Sequence, residues 1–456
     1  MISESEEEET GMISETGGFF EMRRMMISAL SAAALLAAEL PFCIAAAEAQ
    51  PAAKSEIPVK KKELPAVSTV KPSLDETIIR EGIASVRRGV EFLLSKQLPD
   101  GSWGMAVGGR SFGHPAVTAL VCMAINQSGI AVDEKIRKEA VARGRAYILK
   151  YVQPDGSIWM SDMKREYPTY TTAITLTCLA SLGFKEDEPV MRAARRFLID
   201  LQLDEDNKDN PTSKDDPSYG GVGYGPGEAG SKHVDLSNTQ WVAEALYATD
   251  YLDREPNAKS PEDTRQADLA WDKLATFLTS MQHLPETNKA VWVVSDKESS
   301  DYGGFVYRVD EDGANQKTGQ AQTLRSYGSM TYAGLKSMLY AKLSKDDPRV
   351  KAAVEWAAKH YTLDENPGIG QAGLYYYIQT FAKAHSVLQS DEVKTEKLGI
   401  RKWRVDLIEK MFELQKGQGE WFNDKTGRWM ESSPELVTAY SLLAMELALG
   451  PWLMEE

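Results

Sequence analysis

Apolar residues fall along this chain in two alternating kinds of segment. Stretches such as Ile79 to Gln97 and Lys135 to Val152 gather them on one helical face and charges on the other, as in a helix with one side in water. Between such stretches lie segments apolar on nearly every side, each opening with Thr. These are TALVCMAI (Thr118 to Ile125), TAITLTCL (Thr172 to Leu179), TQWVAEAL (Thr239 to Leu246), TYAGLKSM (Thr331 to Met338) and TAYSLLAM (Thr438 to Met445). A sixth, YYIQTFAK (Tyr376 to Lys383), carries Tyr in place of Thr. A helix apolar all round belongs inside. The pattern therefore predicts an all-α (α/α)6 toroid, six inner helices ringed by six amphipathic outer ones, from about residue 78 to the C-terminus.

A second repeat joins the two kinds of helix. Outer segments end in an aromatic, aliphatic residues and Gln, followed by Gly and Trp: FLLSKQLPDGSW (Phe92 to Trp103), YILKYVQPDGSIW (Tyr147 to Trp159) and FELQKGQGEW (Phe412 to Trp421). FLIDLQ (Phe197 to Gln202) and FLTSMQ (Phe277 to Gln282) are partial copies. One such unit cannot bury its own apolar face, so neighbours must stack. Gln97, Gln153 and Gln415 are expected to satisfy orphan backbone groups at outer-helix ends under the cover of Trp103, Trp159 and Trp421. That is a stabilising role.

No linker divides the chain after Pro72, so residues 78–456 read as one domain. Ahead of it, Met22-Arg-Arg, the run MMISALSAAALLAA and Ala47-Glu48-Ala49 have the basic head, apolar middle and A-x-A exit of a secretory signal. This reading predicts a start at Met22, a mature chain from Gln50 and a periplasmic or extracellular location. A membrane anchor is the alternative, but Glu39 and Pro41 interrupt the apolar run before the ~20 residues a spanning helix needs. Residues 50–77, rich in Pro, Lys and Ala, read as a flexible spacer.

Residues 1–49 hold nine acids and two bases, so cleavage changes the net charge from -15 to about -8. Such a chain lacks the basic excess that nucleic acid requires, and membrane contact is peripheral at most. Cys43 leaves with the signal, while Cys122 and Cys178 lie in apolar segments and read as free buried thiols. With five dispersed His and no C-x-x-C, neither a metal nor another cofactor is expected.

The phrase RRGVEFLLSKQLPDGSW resembles the repeat of squalene-hopene cyclases, and Tyr219 to Leu246 resembles both those cyclases and the β subunits of protein prenyltransferases. The resemblance spans Arg80 to Leu449. It implies a toroid whose central cavity, lined by inner-helix and aromatic residues, takes an isoprenoid or another apolar molecule or lipid. Class II cyclases of this kind protonate an alkene with an Asp-x-Asp-Asp-Thr-Ala segment. The matching residues here are Asp235-Leu236-Ser237-Asn238-Thr239-Gln240, with Ser237 in the donor's place. A hydroxyl is too weak an acid for that step. The Asp-x-Cys of the prenyltransferase zinc site is missing, although Arg308, Lys317 and Arg325 lie near the region of that family's diphosphate cluster.

Asp235 thus has two readings: a cap on its helix, or a cavity-facing acid or base tuned by His233. Tyr219, Tyr224, Asn238, Trp241, Asp301, Tyr302, Tyr327 and Tyr332 are candidate cavity residues, with Trp429 and Tyr375 to Tyr377 as further aromatics. Three functions fit: an exported toroid acting on isoprenoids, a non-catalytic one binding lipid or a protein partner, and a glycan hydrolase or lyase. The last requires paired groups, for which Asp235, Asp301, Glu431 and His114 are the candidates.

Overall fold

The computed structural model describes residues 73–107, 110–163, 167–309 and 324–454. Its contacts divide the chain into residues 1–61 and 62–456, and every described residue lies in the second unit. The signal-like segment, most of the spacer and Lys317 fall outside the described residues.

Six outer helices are amphipathic: α1 (Glu76–Ser95), α3 (Glu134–Ile148), α5 (Glu188–Asp200), α7 (Pro261–Ser280), α9 (Pro348–Lys359) and α11 (Trp403–Leu414). The inner helices are α2 (Pro115–Gln127), α4 (Pro168–Leu182), α6 (Leu236–Ala248), α8 (Gly328–Tyr340), α10 (Leu374–Leu388) and α12 (Pro434–Leu449). Each inner helix packs on the next, α12 returns to α2, and α11 meets α1, so the ring closes. Every residue of α8 is buried. The stretch Pro434–Leu453 is long and apolar enough to cross a membrane, but 72% of it is buried inside the ring. Pro at the first turn of α2, α4 and α12 supplies a preset φ where no N–H is needed. Asp75, Asp133, Ser260 and Asp347 cap α1, α3, α7 and α9 with side-chain oxygens.

The two sequence repeats interlock through hydrogen bonds. The Gln97 amide donates to Gly101 O in its own turn and to Ala140 O in α3, both at 2.9 Å. Gln202 reaches Ala270 O in α7, Gln282 reaches Arg349 O in α9, and Gln415 reaches Ser85 O in α1. Each Gln thereby ties its outer helix to the next. Gln153 is the exception, donating to Tyr151 and Trp159 within its own turn. The turn glycine lies against the same neighbour. A Cβ on Gly220 (φ +80°) would stand 2.0 Å from Lys273 O.

The five threonines have one shared task. Backbone N–H groups of Trp103, Ile158, Val222, Phe305 and Trp421 donate to the hydroxyls of Thr118, Thr172, Thr239, Thr331 and Thr438 at 2.9–3.1 Å. Two details differ from the sequence reading. Ile158, fully buried, occupies the position expected of Trp159, because Asp155-Gly-Ser turns the chain one residue earlier. In the sixth copy it is the Tyr377 hydroxyl, rather than that of Tyr376, that ties back to the preceding loop, at Thr362 O. Two short antiparallel hairpins, β1 (Gly104–Val107) with β2 (Arg110–Gly113) and β3 (Glu392–Thr395) with β4 (Gly399–Lys402), were not foreseen.

Candidate functional site

The N-terminal parts of α4, α8 and α10 bring Tyr170, Tyr327 and Tyr376 near Asp235. It is the N-cap of α6, accepting from Asn238 N at 2.7 Å and from Asn238 Nδ2 at 2.8 Å. Only 1% of it is exposed. Burial pushes its carboxyl up to about 6, although Asn238, the Tyr307 hydroxyl and the Ser237 N–H all favour the anion. Tyr307 comes from the segment ahead of α8, where its carbonyl accepts from Leu236 N at 2.9 Å. Its hydroxyl lies 2.9 Å from that of Tyr224.

Tyrosines surround this acid. Tyr167 and Tyr170 at the start of α4 pack against Tyr224 in tilted pairs, with ring centres 5.1 and 6.0 Å away. The Tyr376 hydroxyl accepts from Gln240 Nε2 at 2.9 Å and lies 3.0 Å from Ser237 Oγ, while its ring faces Tyr440 at 6.1 Å. Burial drives the Tyr170, Tyr327, Tyr376 and Tyr440 hydroxyls far above their ordinary range. Yet all four residues keep some accessible surface. Deep placement with retained surface marks them as facing an internal space. Beside them, Gln240 Oε1, Asn238 Oδ1 and Thr169 Oγ1 are buried with no hydrogen-bond partner among the described residues.

No family model matches the chain. A stretch of 119 residues, 26% of this chain, is 28% identical to lanosterol synthase of Pneumocystis carinii and spans 15% of that protein. In fold the chain is similar to a D-mannose isomerase, with a TM-score of 0.51, 12% identity and coverage of 83% of this chain and 99% of that one. The fold is that of an (α/α)6 toroid. A cellobiose 2-epimerase from Spirochaeta thermophila superposes on this toroid at the same TM-score of 0.51, with 12% identity over 83% of this chain and 99% of that one. A type II terpene cyclase from Scytonema in complex with merosterolic acid A aligns at 0.49, with 15% identity over 82% and 99% of the two chains.

Within the toroid, Tyr224, Tyr327 and Asn238 accompany Asp235. The other candidates lie elsewhere. His233 is exposed, and its Nδ1 accepts from Arg308 at 2.8 Å, facing away from the acid it was expected to tune. Tyr332 is 1% exposed and packs on Phe381, Tyr377 and His385 between helices. Trp241 is equally buried, under the Lys383 ammonium. Tyr219 is buried in its turn, and Tyr302 bonds Glu286 on the outer surface. Asp301 accepts from Ser326 N at 2.9 Å just ahead of α8, Glu431 from Tyr376 N at 2.9 Å in α10, and His114 from Ala116 N at 3.2 Å in α2. With Asp235 on α6, all four groups offered for glycan cleavage serve as ties at inner-helix starts.

Sequence reasoning missed Tyr307, Tyr170 and Tyr440. Tyr307 lies in an irregular segment without a pattern. Tyr170 and Tyr440 did carry a signal: a hydroxyl on an otherwise apolar inner helix must find a polar partner or an open space. Cys122 and Cys178 are free and buried, side by side on α2 and α4. Among the described residues no group of three or more His, Cys, Asp or Glu is placed to hold a metal ion.

Proposed function

We propose that the toroid takes an isoprenoid, or a molecule of comparable apolar shape bearing a hydroxyl, into the tyrosine-lined space beside Asp235. The observation that carries this reading is that Tyr170, Tyr327, Tyr376 and Tyr440 lie deep yet keep some accessible surface. Aromatic faces suit an apolar, unsaturated chain. The unpartnered acceptor of Gln240, next to the Tyr376 hydroxyl, suits a hydroxyl donor at its end.

In this reading Asp235 is a positioning residue. It is shut off from the space by its own hydrogen bonds and acts by orienting Tyr307 and fixing the first turn of α6. A carboxyl near 6 is also a weaker acid than an ordinary Asp, and Ser237 is engaged with Tyr376, so direct protonation of an unactivated alkene is not assigned to this site. The signal-like segment from Met22 to Ala49 supports assigning the activity to an exported chain.

The test is mass spectrometry of organic extracts from the full chain after incubation with a mixture of isoprenoid alcohols and fatty acyl lipids. Capture of about one isoprenoid per chain by the wild type, lost in a Tyr440→Trp variant that fills the space, is the expected result. An empty protein, or equal capture by the variant, would sink the reading. A captured molecule that is chemically altered would add catalysis to binding.

A further inference from the structure

At the opposite end of the ring a second site stands apart from the tyrosine-lined space. The C-terminal halves of all six inner helices line an open cavity of about 260 Å³, a little below the ~300–1,000 Å³ of typical small-molecule sites. Gln127, Thr177, Tyr247, Tyr340, Lys383 and Leu447 face it, one from each inner helix. Tyr247 and Tyr340 stack, with ring centres 4.2 Å apart and planes 21° from parallel. The hydroxyls of Thr177 and Ser181 are turned back to carbonyls of their own helix, which leaves mostly apolar surface toward the cavity.

One charge in the wall is unmatched. Glu244 receives Lys336 Nζ at 2.7 Å and also bonds Lys383 Nζ, so two ammonium groups share one carboxylate. Burial raises Glu244, but the two lysines together overcome it and hold its carboxyl at about 2. Burial brings Lys336 down to about 8 against the pull of Glu244. An ammonium has three donors. Among the described residues the Lys383 ammonium bonds only Glu244, and its remaining contact is the Trp241 ring at 5.2 Å. Helix carbonyl ends carry partial negative charge, but that effect falls off within the last turn. Lys383 stands five residues before the end of α10. This excess of positive charge, on a Lys383 side chain only 13% exposed and set beside apolar surface, suits an anionic partner.

The geometry points to a binding site for a small amphiphilic carboxylate, its charged end on Lys383 and its apolar body between the Tyr247–Tyr340 stack and Leu447. The carboxylate would complete a pair of ammonium groups with a pair of carboxylates. Because the site shares no residue with the tyrosine-lined space, it stands or falls separately from the isoprenoid reading.

Calorimetric titration of the full chain with octanoate, with 1-octanol as the uncharged comparator, tests it. Octanoate should bind at least tenfold more tightly than octanol. Lys383→Met, which leaves Glu244 and Lys336 as a neutral pair, should erase that tenfold preference while octanol still binds. Leu447→Trp, which fills the cavity and leaves every charge in place, should abolish both, and Asp235→Asn should change neither. Circular dichroism of each variant separates loss of binding from loss of fold. No octanoate binding, equal affinity for the two probes, or octanoate binding that survives Leu447→Trp would each overturn the assignment.

Discussion

Asp235 fills one of the two roles that its sequence allows, the cap on its helix. Its position before an inner helix leaves a cap and a cavity-facing acid or base both open, and the structure shows the cap. The raised carboxyl follows from depth, which sequence does not display. Because the folded carboxyl titrates near 6 and an unfolded one near 3.9, the folded chain holds the proton more tightly. That stabilisation is complete below about pH 4 and is lost as pH rises through 6. Asn at this position does not titrate. Thermal melts should therefore show Asp235→Asn gaining on the wild type between pH 4 and 7, by up to about 3 kcal/mol. A difference constant across that window would mean that the carboxyl is not raised. His233 was expected beside this acid on spacing alone, but a two-residue offset ahead of a helix says nothing of direction, and Arg308 holds it outward.

At the scale of the element, the repeats were legible because each copy solves one problem of hydrogen bonding. Except at Gln153, Gln satisfies a carbonyl of the next outer helix, and Thr receives an N–H that the turn leaves over. Thr239→Val keeps the shape and orphans Val222 N, so chemical denaturation should show a loss of roughly 1–3 kcal/mol. The glycines divide into two classes that sequence could not separate. Gly220→Ala drives a Cβ into Lys273 O in addition to straining φ, whereas Gly183→Ala at φ +71° meets nothing within 4 Å. The second should cost about 1–2 kcal/mol, and the first clearly more, in the same denaturation experiment. The two hairpins were illegible because their strands are four residues each and lack alternation long enough to read.

Over the whole molecule, closure sets the behaviour. An open repeat array needs caps at its ends, but here α12 returns to α2 and α11 to α1, so each described helix pair has a neighbour on both sides. The Gln415 amide, donating to Ser85 O at 2.9 Å and Gly419 O at 2.8 Å, sits on the seam. Unfolding of residues 73–454 should accordingly be a single transition. Circular dichroism and tryptophan fluorescence should give the same midpoint, and Gln415→Ala should lower both together. Separated midpoints would show that the ring opens at its seam first. The fold was legible from helix periods and counted pairs. The lining of the internal space was not, because it depends on which face of each inner helix turns inward, and those helices are apolar on every side.

The most direct test of the tyrosine-lined space is photolabelling of the full chain with a diazirine analogue of farnesol, followed by peptide mapping. Adducts on peptides carrying Tyr170, Tyr376 or Tyr440, displaced by excess farnesol, are the predicted result. Adducts confined to the outer helices or to the Lys383 end, or labelling that farnesol does not displace, would contradict the account.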